Sequence, residues 1–159
     1  MTVLAATMMT KRVALAFAVL MTPAFAQEDI VIDQNKVYVT EPSACEALEK
    51  QGVDAWMEQD FLSLTFTGGI QSMEFHCNFY DVKSRPNTPL LFVDAVCELP
   101  GALYPDIFAI APNGEDSILV VSGADTTLAL ASSDAPPTDH PVGTTLYHRC
   151  DNLSEIPVD

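Results

Sequence analysis

The sequence predicts a mainly β, antiparallel domain: a small sandwich or barrel of about seven strands, one short N-terminal helix and two disulfides. Three observations lead there. Apolar and polar residues alternate through several short segments, the period of a half-buried strand. Turn signals such as Gly68-Gly69, Pro100-Gly101 and Asn113-Gly114 separate those segments. Four cysteines follow an export-type leader, so an oxidised framework is expected.

The elements follow in chain order. Val37-Tyr38-Val39 reads as a first strand. Ser43-Ala44-Cys45-Glu46 fits a capping box, in which the Ser hydroxyl and the Glu carboxylate satisfy each other's free amides. The helix should end near Gln51, with Gly52 as a left-handed stop, and bury Ala44, Cys45 and Leu48. From Phe61 to Thr67 the period becomes two, and Gly68-Gly69 predicts a type I′ turn.

Met73, Phe75, Cys77 and Phe79 then alternate with polar residues, and Leu91, Val93, Ala95, Cys97 and Leu99 do the same. Between them lies a loop rich in proline, and a hairpin centred on Asn87 places Cys77 opposite Cys97. Pro105-Asp106 reads as a further break. Ile107–Ala111 and Ile118–Val121 form a second hairpin around Asn113-Gly114. Thr126–Ala131 and Thr144–Cys150 complete the strands, and 132–143 is a long loop.

The same register argument pairs the cysteines. Cys77 bonds Cys97 across its hairpin, which leaves Cys45 and Cys150 to tie the two ends of the domain. A loop of about a hundred residues closed in this way is worth about 4.7 kcal/mol in the chain-entropy account. A zinc site from His148, Cys150, Cys77 and Cys97 is disfavoured, because closely spaced ligand pairs are missing. No cofactor-binding loop is recognisable either.

Residues 1–26 have the build of a bacterial Sec-type signal peptide: Lys11-Arg12, the apolar run Val13–Met21, then Ala24-Phe25-Ala26. The run is too short to span a bilayer. The expected layout is a removed leader at 1–26, one exported β-rich domain at 27–151 and a loose tail at 152–159. Location is therefore periplasmic or secreted, without membrane insertion after cleavage.

Charge narrows function. Seven basic residues face 22 acidic ones, a net charge of −15, and the leader accounts for two of the seven cations but for no acid. Nucleic acid and anionic membrane surfaces need basic patches and are excluded as partners. None of the familiar nucleophile or zinc-hydrolase motifs is present, and His76, His140 and His148 carry no recognisable triad pattern. The expected function is a non-catalytic binding module for a protein partner, a cationic protein or peptide. The alternatives are a small hydrolase using a His and a carboxylate, or a structural component of the cell envelope. Trp56, isolated among acids after the helix, either covers the core between helix and first hairpin or is an exposed anchor; it and Tyr104 are the candidate partner-binding residues.

Overall fold

A computed structural model describes residues 31–132 and 140–158. The leader at 1–26 and most of the 132–143 loop lie outside the described residues. The described chain forms eight strands: β1 (Val37–Val39), β2 (Ser63–Thr65), β3 (Gly69–Gln71), β4 (His76–Ser84), β5 (Leu91–Leu99), β6 (Ala102–Pro112), β7 (Ser117–Ser122) and β8 (Thr144–Cys150). Each pairs antiparallel with the next, and β8 returns to β1. The expected sandwich or barrel is thus a closed barrel, which leaves no unpaired sheet edge.

Side-chain alternation fills the interior. Leu91, Val93, Ala95 and Cys97 of β5 point inward, facing Cys77, Phe108, Ile110 and Tyr147 from other strands. Ring contacts run across the space, with Phe79 centred 6.4 Å from Phe66 and 5.9 Å from Phe108. Cys77 and Cys97 stand opposite in the β4–β5 register and are disulfide-bonded inside the barrel, as expected.

A second core lies outside the barrel wall. Tyr38 points inward, so its neighbours Val37 and Val39 point outward, and all three are buried. Helix α1 (Ala44–Gln51) covers Val37 and Val39 through Ala44 and Leu48. Cys150 shares this outer side and bonds Cys45 on α1, with 5.4 Å between their Cα atoms. The expected pairing holds for both bridges, and all four thiols are consumed.

Several expectations change. Thr126–Ala131 is not a strand but part of helix α3 (Gly123–Ala131). Its start is fixed locally: the Ser122 hydroxyl accepts the Asp125 amide, and the buried Asp106 carboxylate accepts the Ala124 amide at 2.9 Å. These contacts outweigh the β-branched pair Thr126-Thr127, whose weak strand preference decides nothing by itself. The capping box at α1 does not form, because Ser43 is already in helical conformation and its side chain caps no amide. Strand 61–67 shrinks to Ser63–Thr65, and the type I′ turn is replaced by a three-residue link, 66–68, after which Gly69, the first residue of β3, takes positive φ.

Pro105-Asp106 does not break the chain; Pro105 is paired opposite Val96 within β6 with its ring exposed. The segment from Gly69 to Ser84 is two strands rather than one, divided by a turn at Ser72–Phe75. That division adds a strand and the loss of Thr126–Ala131 removes one, so the barrel closes with eight strands where about seven are expected. The tail beyond Cys150 is docked, not loose. Leu153 is buried in the outer core, Ile156 packs against it, and the Val37 amide donates to the Leu153 carbonyl at 3.1 Å.

Candidate functional site

The site begins where α1 stops. Gly52 takes φ +58°, which ends the helix and turns the chain into a short 3-10 segment, Gly52–Asp54. A single helical turn, α2 (Ala55–Glu58), follows. Ala55 is buried in the outer core, so the next residue, Trp56, emerges at the edge of that core. Its ring lies 6.5 Å from buried Phe61, tilted by 39°.

The turn between β3 and β4 faces this edge. Ser72 holds it twice: its amide donates to the Phe75 carbonyl at 2.7 Å, and its hydroxyl accepts the Phe75 amide at 3.3 Å. Met73 and Glu74 sit at the tip. Together the two elements enclose an open depression of about 320 Å³, lined by Trp56, Met57, Glu58, Gln59, Asp60, Met73 and Glu74.

The composition of that lining is unusual for this chain. Trp56 is its one tryptophan, and Met57 and Met73 are its only methionines beyond residue 26. Methionine ordinarily fills core gaps. Here Met57 is 63% and Met73 65% exposed. The indole N–H of Trp56 is buried and has no acceptor among the described residues. Exposed thioethers beside an aromatic ring make an adaptable, polarisable contact surface.

Electrostatics set the rim. Among the described residues the chain's own cations are engaged elsewhere: Lys50 with Glu46, Lys83 with Asp81 and Asp94, and Arg149 with Asp116 and Asp151. Lys36 donates to the Asp151 carbonyl, and Arg85 lies 5.3 Å from the centre of the Phe92 ring. None of these cations pairs with Glu58, Asp60 or Glu74. Glu58 receives only a neutral hydrogen bond, from Gln51 Nε2 at 3.0 Å. Glu58, Asp60 and Glu74 therefore carry uncompensated negative charge beside Trp56, Met57 and Met73.

Comparison with protein-family models, curated proteins and solved structures gives no match. The geometry stands alone.

Other candidates fall in different places. Tyr104, expected beside Trp56 as a partner contact, is half-buried against the barrel core and does not line the depression. Burial pushes its phenol up, with Asp125 and Asp106 adding to the shift. His76 lies on the polar outer face of β4, with Nε2 3.2 Å from Glu98. His148 is in register with Val39 on the outer side of the barrel. The described residues hold no cluster of three or more His, Cys, Asp or Glu that could bind a metal ion, and no helix long and apolar enough to cross a membrane.

Trp56 packs against the outer core beside Phe61, the covering role the sequence allows it, and the residues gathered around it are not read from the sequence. The period of two shared by Met73, Phe75 and Cys77 places Met73 on the inner face of a strand, whereas the structure puts it on an exposed turn. The available signal is Ser72, whose side chain can replace a ladder partner and close a turn.

Proposed function

We propose that the chain is a non-catalytic binding module whose partner is a cationic protein or peptide, and that the Trp56 depression is its contact site. The observation that carries this reading is the gathering of the sole tryptophan and two exposed methionines under three uncompensated carboxylates. Aromatic and methionine side chains supply contact area, while the acidic rim favours basic surfaces and speeds encounter with them. The net charge of −15 acts in the same direction over longer range.

Two disulfides fit an oxidising compartment, and we place the protein in the periplasm or outside the cell after Sec-type export. Cys45–Cys150 ties α1, the helix that leads into α2, to the end of β8.

The test is affinity capture from native extract on immobilised protein, at low and high salt, with wild type beside an Asp60→Asn, Met73→Ala, Glu74→Gln variant. Both should melt alike, because the replaced side chains are exposed. A partner retained by wild type at low salt and lost by the variant supports the reading. Equal retention by both removes the depression from the interface.

A further inference from the structure

We infer that the depression takes one arginine side chain, presented by an extended stretch of the partner. The inference rests on the reading of the Trp56 depression as the contact site, and it names the group that enters.

Size comes first. Small-molecule pockets run from about 300 to 1,000 Å³, so a depression of about 320 Å³ is at the small end. It is open, so a peptide backbone can pass over it with a long side chain entering it.

Chemistry then selects the head group. The lining brings the Trp56 ring together with Met57 and Met73 and with the carboxylates of Glu58, Asp60 and Glu74. An arginine matches each part: its methylene stem lies along thioethers, its flat guanidinium stacks on an aromatic face, and its forked N–H groups meet carboxylates two at a time. A lysine ammonium is a compact, strongly hydrated charge and gains less from an aromatic floor. The chain already makes the equivalent contact within itself, where the Arg85 guanidinium sits over Phe92. In the depression the ring and the acids are present and the cation is not supplied by any described Lys or Arg.

Because Trp56 is the only tryptophan, its emission reports the site directly. The experiment titrates the folded, disulfide-intact protein with four capped pentapeptides, Gly-Ala-X-Ala-Gly, in which X is arginine, lysine, citrulline or leucine. Citrulline keeps the shape of arginine and removes its charge. The arginine peptide should change Trp56 emission saturably. The citrulline and leucine peptides should bind at least about tenfold more weakly, and the lysine peptide several-fold more weakly. Asp60→Asn with Glu74→Gln should weaken the arginine peptide and leave the leucine peptide unchanged.

If lysine or citrulline matches arginine, the guanidinium inference is wrong, whereas the depression remains the contact site. The guanidinium inference also fails, and the contact site again stands, if no peptide alters the emission but capture from extract still depends on the depression. If no peptide acts and capture is equal for wild type and variant, both the inference and the reading beneath it fail.

Discussion

Gly52 lies directly beneath the carbonyl of Pro157: a Cβ built on Gly52 would stand 2.3 Å from that oxygen. The contact joins the end of α1 to the C-terminal segment, at the point where the chain turns toward Trp56. Two demands meet at this residue, positive φ and absence of a side chain. Either one alone selects glycine.

Gly52→Ala should therefore cost more than the roughly 1–2 kcal/mol that left-handed backbone costs an L residue. Gly114 is the control, with φ +76° and nothing within 4 Å of its would-be Cβ. Gly114→Ala should show the backbone cost alone. Urea unfolding of both variants checks the difference, and equal losses would show that the Pro157 contact yields freely.

The two disulfides should separate under mild reduction. Cys77–Cys97 is wholly buried inside the barrel, whereas Cys45 is partly exposed on α1. Graded thiol reduction followed by alkylation and mass analysis should label Cys45 and Cys150 first. Replacing that pair by serine should lower stability by about 2–5 kcal/mol. It should also shift Trp56 emission, because α1 leads into the turn that carries the ring.

Asp106 anchors α3 from another strand. Its carboxylate accepts the Ser122 hydroxyl at 2.6 Å and the Ala124 amide at 2.9 Å, and it is almost fully buried. Asp106→Ala leaves both donors unpaired and should cost about 1–3 kcal/mol. Limited proteolysis should then cut within Gly123–Ala131, a helix that buries none of its own residues. Asp106→Asn keeps one acceptor and should fall between wild type and Ala.

Alkaline pH should destabilise the fold through Tyr147. Burial in the barrel pushes its phenol up, with the Asp125 charge as the smaller cause. The folded state therefore keeps the proton while the unfolded chain releases it near the ordinary value of 10.0. Stability is unaffected below that pH and falls as pH rises past it. Tyr38, raised first by burial and then by Asp33, acts in the same sense. Equilibrium unfolding between about pH 9 and 11 checks this, with Tyr147→Phe expected to flatten the decline.

Much of the fold was legible in the chain. The alternation around Cys77 and Cys97 gave their register, because a strand's side chains change face at every residue and one face had to be apolar. Fixing that pair left one partner each for Cys45 and Cys150. The Asn113-Gly114 hairpin and the Gly52 stop were equally local, since each depends on a backbone conformation few residues adopt. The misreadings came where a nearby polar group replaced a ladder partner. Ser72 turned one long strand into two, and Ser122 with Asp106 drew Thr126–Ala131 into a helix.

By itself, then, the sequence determined the acidic charge and the β class, properties of composition and of local alternation, and the disulfide pairing followed from the hairpin register that sets Cys77 against Cys97. Tertiary structure decided that the sheet closes and that the tail docks, because both depend on β1 meeting β8 and Leu153 from the far end of the chain. It also decided what surrounds Trp56. Trp56 was visible as an oddity, but Met73 and Glu74 reach it only because β2 and β3 fold back and bring the Ser72 turn beside α2. Closing a sheet sets which turns become neighbours, and no local pattern encodes that distance.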